Sequence, residues 1–247
     1  MTVLLNDLGA ALASVIPVIA IDGPSASGKG TVAERVAQAL GFHYLDSGAI
    51  YRAAALVVMR AGLAADADES ALASLAGAMP LRFADGKVWL GTDEVTTSIR
   101  SEECGTNASR IAVLPLVRAA LLQSQRDFRA APGLVADGRD MASVVFPDAA
   151  PKVFLTASVA ERAFRRVAQL QGIPLKDAKG LIENENNAKL RVLFDSVLAD
   201  LQERDRRDAA RATAPLKQVE GANLLDTTGL TVDQAVDAVL GWFRAAK

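Results

Sequence analysis

The stretch Ile19-Ala20-Ile21-Asp22-Gly23-Pro24-Ser25-Ala26-Ser27-Gly28-Lys29-Gly30-Thr31 decides the fold of this 247-residue chain. The apolar run from Ile16 to Ile21, with Pro17 near its beginning, reads as a buried strand. Gly23 to Lys29 then fits the spacing Gly-x-x-x-x-Gly-Lys, in which backbone N–H groups and a helix N-terminus surround a polyphosphate while the Lys reaches its terminal phosphates. Beyond it, Val32, Val36, Ala39 and Leu40 share one helical face, and Gly41 closes the helix. With 18 Gly and 8 Lys available, chance gives this spacing about 0.04 times per chain. A glycine turn without function is the competing reading, and the flanking strand and helix weigh against it.

The same punctuation continues outward. A short strand is expected around Tyr44-Leu45, and Ser47 is placed to cap a helix carrying Ile50, Ala54, Val57 and Val58. Apolar runs at Gly133-Leu134-Val135-Ala136, Val153-Phe154-Leu155 and Leu224-Leu225 alternate with helical patterns, which predicts an α/β fold with five parallel strands and crossover helices. Two segments interrupt it. Leu81-Arg82-Phe83, Val88-Trp89-Leu90 and Glu94-Val95-Thr96, with a turn at Asp85-Gly86, read as a small antiparallel meander inside an insertion over 65–105. Pro174 to Gln202 reads as a charged pair of helices. The expected division is an N-terminal extension over 1–14, a core over 15–64 and 106–247, and a lid over 203–212 within that core.

Composition narrows the function classes. The chain is 51% hydrophobic and 23% charged with a formal charge of −2, which describes a globular protein and excludes disordered and collagen-like ones. One Cys and one His, Cys104 and His43, leave no intrachain disulfide and no Cys/His zinc site. The uncharged run Leu8 to Ile21 is too short to span a bilayer, and it lacks the basic flank of a secretory signal, since the first basic residue is Lys29. The 27 basic residues divide into 19 Arg and 8 Lys. Arg presents a planar fork suited to phosphate and carboxylate, so the excess points to discrete anion sites; Arg-rich codon usage is the other explanation.

Several positions carry chemistry. The residue after Lys29 is Gly30, where many GTPases and transport ATPases place a Mg²⁺-binding Ser or Thr; the hydroxyl comes one place late, at Thr31. The metal is then expected to be held mainly by phosphates and water. Asp137 ends an apolar strand and is a candidate to hold Mg²⁺ or its waters, or simply to turn the chain before Gly138. Ser47 and Arg52 stand one turn apart at a helix start, where both could meet an acceptor phosphate. Gly138-Arg139-Asp140 follows the carboxyl end of a strand, where α/β proteins bind ligands. In Glu203 to Arg211, a continuous helix would put Arg204, Arg207, Asp208 and Arg211 on one face as an arm that closes over phosphates.

Taken together the chain resembles the bacterial cytidylate (CMP/dCMP) kinase family. The resemblance is carried by Asp22-Gly-Pro-Ser-Ala-Ser-Gly-Lys-Gly-Thr31, Leu45-Asp-Ser-Gly-Ala-Ile-Tyr-Arg52, Ala136-Asp-Gly-Arg-Asp-Met141 with Val144-Val-Phe-Pro147, and Glu203-Arg-Asp-Arg-Arg-Asp208 with Arg211, in family order across most of 17–245. It implies a P-loop kinase fold whose inserted sheet serves the nucleoside monophosphate. It also implies that ATP, with Mg²⁺, lies on Gly23, Pro24, Ser25, Ala26, Ser27, Gly28, Lys29, Gly30 and Thr31. Ser47, Arg52, Ser109, Arg118, Arg139, Asp140, Arg204 and Asp208 are then expected to contact CMP or dCMP. Of these, Ser109, Arg118 and Asp140 would meet the cytosine, Arg204 and Asp208 the ribose, and Arg52 and Arg139 the acceptor phosphate. Lys29, Arg139, Arg204, Arg207 and Arg211 are the expected catalytic set. The segment 172–202 is longer than the usual link to the lid.

The resemblance further implies a cytoplasmic enzyme, expected to be a monomer, with nucleotides as partners and neither nucleic acid nor membrane. Two alternatives remain at this point: a P-loop kinase for another nucleotide or small metabolite, and a nucleotide-binding regulator without turnover.

Overall fold

The structure, a computed structural model, describes residues 16–84, 86–184, 187–211 and 213–246. The expected extension over 1–14, Asp85 of the predicted hairpin turn and Ala212 of the lid lie outside the described residues.

Five parallel strands form the central sheet, as the sequence pattern predicts. They are β1 (Val18–Asp22), β2 (His43–Asp46), β6 (Leu134–Gly138), β7 (Lys152–Thr156) and β8 (Asn223–Asp226), in the order β2-β6-β1-β7-β8. β1 begins at Val18; Pro17, which has no N–H to donate, sits just before it, where its carbonyl accepts from the Leu134 N–H at 2.9 Å. Alternation along β1 divides the core. Val18 and Ala20 face a cluster with α2 (Ser47–Arg60), α3 (Glu69–Ala78) and α5 (Pro115–Arg126). Ile19 and Ile21 face α1 (Lys29–Leu40) and α9 (Val232–Ala245) on the other side. Both isoleucines are fully buried, each contributing about 2–3 kcal/mol of apolar burial, so the strand that leads into the glycine loop is rigid.

The insertion holds α3, then β3 (Leu81–Ala84), β4 (Lys87–Leu90) and β5 (Asp93–Glu94) in an antiparallel sheet ordered β3-β4-β5. β5 is two residues long, shorter than the Glu94-Val95-Thr96 run expected; Val95 instead turns in to be fully buried. Helix α4 (Glu102–Ile111) then returns the chain to the core.

The charged segment forms two helices, α7 (Leu175–Glu183) and α8 (Ala188–Ala209), packed on α6 (Val159–Gln171) through Ala163, Val167, Ile182, Val197 and Leu201. It continues into the lid, because α8 runs through Arg204, Arg206 and Arg207. No helix among the described residues is long and apolar enough to cross a membrane.

Candidate active site

The phosphate loop leaves β1 at Gly23, where an added Cβ would stand 1.9 Å from the Leu155 carbonyl oxygen, so only glycine fits this approach to β7. Gly28 caps α1 with φ of 93°, a left-handed conformation that glycine adopts at no steric cost. The first N–H groups of α1 lack intrahelical acceptors, and the helix dipole adds positive potential, so the loop is built for an anion. Lys29 lies within it. Burial pulls the Lys29 ammonium below its usual range, with Arg139 adding to the effect and Asp137 opposing it.

Asp137 ends β6 and pairs in register with Asp46 at the end of β2. Burial holds the Asp137 carboxyl well above the usual range, reinforced by the Asp46 charge and opposed by Lys29. An added Cβ at Gly30 would sit 3.4 Å from the Tyr44 hydroxyl and 3.5 Å from Asp137 Oδ2, so Asp137 stands directly over the start of α1. Buried Asp137 beside half-buried Asp46 offers carboxylate oxygens that fit a hard cation. Among the described residues no three His, Cys, Asp or Glu side chains cluster as a metal site.

In the same cleft, buried Arg118 from α5 forms an ion pair with buried Asp140. Arg118 Nη1 also donates to the Tyr51 hydroxyl and the Ala112 carbonyl, both at 3.3 Å. Between this pair and the loop lies an Arg139–Asp208–Arg211 chain. Arg139 Nε donates to Asp208 Oδ2 at 2.8 Å, its Nη2 donates to Ser25 Oγ at 2.8 Å, and Arg211 pairs with the other Asp208 oxygen. Burial raises the Asp208 carboxyl, yet Arg139 and Arg211 outweigh it and hold the group below its usual range.

Arg52 reaches the Ile99 and Ser101 carbonyls at 3.0 and 3.3 Å. It passes directly over Gly105, where a Cβ would lie 2.7 Å from Nη1.

These groups line one cleft of about 380 Å³. Ser25 to Thr31, Ser47, Arg52, Ser109, Arg118, Asp137, Arg139, Asp140, Arg204, Asp208 and Arg211 all reach its wall. Gly23, Pro24 and Arg207 do not; Arg207 Nη1 instead donates to Glu203 at 3.3 Å.

Two local expectations are corrected. Ser47 is the first residue of α2 rather than its cap; Asp46 caps it, accepting from the Ala49 N–H at 3.0 Å. Arg211 is not on the helix face with Arg204, because α8 ends at Ala209 and the Leu216 N–H folds back onto the Asp208 carbonyl.

Sequence reasoning missed the arginines of α6. Arg162, Arg165 and Arg166 surround the phosphate loop, so codon usage is not enough to explain them. Arg162 Nη1 donates to the Ser25 carbonyl at 3.2 Å, Arg165 Nη1 donates to the Ser27 carbonyl at 2.8 Å, and Arg166 lines the cleft while pairing with Glu102. Their signal was available: the spacing i, i+3, i+4 in a helix that follows the carboxyl end of β7.

Comparison with known proteins shows the family. The cytidylate kinase family model matches residues 19–245. Proteins named cytidylate kinase from Chromobacterium violaceum and Paraburkholderia phymatum are 58% and 56% identical over 229 residues, 93% of this chain and 96% and 93% of theirs. One from Nitrosomonas europaea is 49% identical over 94% of this chain and 97% of its own.

Proposed function

The chain belongs to the cytidylate kinase family, and we infer that it is an ATP-dependent kinase passing the γ-phosphoryl group to CMP or dCMP, with ADP and CDP or dCDP as products. The observation that supports this most is the buried Arg118–Asp140 pair in the cleft that the phosphate loop also lines. A carboxylate accepts from the cytosine amino group, and a guanidinium donates to the ring acceptors. At the same place uracil would set a carbonyl oxygen against the Asp140 carboxylate.

The chemistry needs no general base. The second pKa of a phosphate monoester is near 6, so the attacking oxygen of the acceptor is already largely anionic at neutral pH. Catalysis is then alignment and charge neutralisation. The amides at the start of α1 and Lys29 hold the donor phosphates; Arg52 and Arg139 hold the acceptor phosphate; Arg204 and Arg211 bring positive charge from the lid side. Asp137 and Asp46 would hold Mg²⁺ or its waters, and that ion would neutralise the β- and γ-oxygens. The Arg139–Asp208–Arg211 chain keeps three charged groups oriented before substrates arrive, so less reorganisation accompanies the transfer. Closure of the lid excludes water that would otherwise hydrolyse ATP.

The near-neutral charge and interleaved Arg and acidic residues support small-molecule partners rather than nucleic acid, and the reading takes the enzyme as a cytoplasmic monomer. A crystal of the protein with CMP tests the base assignment: the cytosine amino group should lie within 3.2 Å of Asp140. Cytosine bound away from Asp140 would contradict it.

A further inference from the structure

Helix α6 grips the phosphate loop through Arg162 and Arg165, two side chains that do not line the cleft. Arg162 Nη1 reaches the Ser25 carbonyl oxygen at 3.2 Å, and Arg165 Nη1, one turn later, reaches that of Ser27 at 2.8 Å. The Thr227 hydroxyl lies 3.1 Å from the same Ser27 oxygen. A trans peptide carries its C=O and the following N–H on opposite sides. Holding these two carbonyls outward therefore turns the N–H groups of Ala26 and Gly28 toward the cleft. Ala26 has φ of 58°, a left-handed conformation that a non-glycine residue keeps only where its surroundings fix it, and Gly28 has φ of 93°.

The two guanidinium groups are themselves fixed. Asp205 of the lid helix takes Arg162 through two contacts of 3.1 and 2.5 Å. Arg165 donates to the Thr227 carbonyl at 2.7 Å and to Glu161 at 3.2 Å. Glu161, 7% exposed, receives a second cation, Lys179 of α7, at 2.6 Å. One line of contacts thus runs from α7 to the loop, Lys179–Glu161–Arg165–Ser27, and another from the lid, Asp205–Arg162–Ser25.

We propose that Arg162 and Arg165 are positioning residues that set the amide orientation of the phosphate loop, with Lys179 acting on the donor site through Glu161 and Arg165. The proposal rests on the reading that this loop takes the polyphosphate of ATP. It assigns the long segment before the lid a part in holding the phosphoryl donor, although none of its α7 residues touches the cleft.

Calorimetric titration of ADP, inorganic tripolyphosphate and CMP, alongside steady-state kinetics, tests it on the full-length wild type, Arg165→Ala, Arg165→Lys and Lys179→Met. Arg165→Ala should weaken ADP and tripolyphosphate about tenfold and raise the KM for ATP in proportion, with CMP affinity within about twofold of wild type. Arg165→Lys should recover part of the loss. Lys179→Met, a substitution at a half-exposed side chain, should weaken the same two ligands about threefold, which keeps the test available if Arg165→Ala folds poorly. Variants with lowered melting temperatures that bind ADP and tripolyphosphate like wild type would overturn the proposal, leaving α6 as structural packing only. Wild type that binds neither ADP nor tripolyphosphate would instead overturn the donor-loop reading, and the proposal with it.

Discussion

Asp46 and Asp137 stand opposite one another on neighbouring parallel strands, two carboxylates in register at the mouth of the phosphate loop. Asp46 also caps α2, whereas Asp137 is not there for stability. Asp137 is buried beside a like charge, and Lys29, Arg139 and the Tyr44 hydroxyl do not offset the resulting rise in its pKa. Such strain is expected where a cation and a polyphosphate complete the site. Asp137→Asn should therefore raise stability at pH 8 by about 1–2 kcal/mol while lowering turnover and raising the Mg²⁺ concentration needed for half-maximal rate. Chemical denaturation and a Mg²⁺ titration of activity check both halves.

Asp22 gives the stability curve a defined pH dependence. Its carboxylate accepts 2.8 Å bonds from the Met141 and Ala142 N–H groups, yet burial outweighs them and pushes the group up from 3.8 to about 6. A carboxyl with a raised folded-state pKa contributes most below its unfolded value and loses that contribution as pH rises through the folded one. The stability of wild type relative to Asp22→Asn should fall by about 3 kcal/mol between pH 3.5 and 7.5. Urea denaturation across that range measures it, and a flat difference would mean that Asp22 titrates alike in the folded and unfolded chain.

Gly105 makes room for Arg52. A methyl group placed there meets the mobile end of the Arg52 side chain at 2.7 Å, so the backbone tolerates the change and the guanidinium moves. Gly105→Ala should raise the KM for CMP about tenfold and leave that for ATP within about twofold. Initial rates with each substrate varied in turn decide this.

The two ends of the site differed in how readable they were. Gly23 to Thr31 is contiguous, so spacing alone identified a phosphate loop and the strand and helix around it. Arg118 and Asp140 are 22 residues apart in sequence, and only the family resemblance joined them. Asp46-Ser47 offers two successive capping side chains, and the choice of Asp46 depends on how β2 enters α2. Nothing local stops α8 at Ala209; the reversal that brings Arg211 back to Asp208 is fixed by the Leu216 N–H bond to the Asp208 carbonyl. The α6 arginines look like an ordinary charged helix face until β7 and the loop are brought together.

Arg211 shares Asp208 with Arg139, which places its guanidinium between the lid and the acceptor side. Arg211→Ala should cut turnover by about 10²–10³ while ATP affinity changes by less than about threefold, because the lost charge acts on the transferring group rather than on the bound donor. Equilibrium binding of an ATP analogue, compared with turnover at saturation, separates the two effects.

The most direct measurement of the central claim is the rate of ADP release from ATP with CMP, dCMP, UMP or AMP as acceptor at equal concentrations. The cytosine-reading pair of Arg118 and Asp140 predicts kcat/KM for CMP or dCMP at least about tenfold above that for UMP or AMP. A preference for UMP or AMP, or ADP release independent of any nucleoside monophosphate, would contradict it.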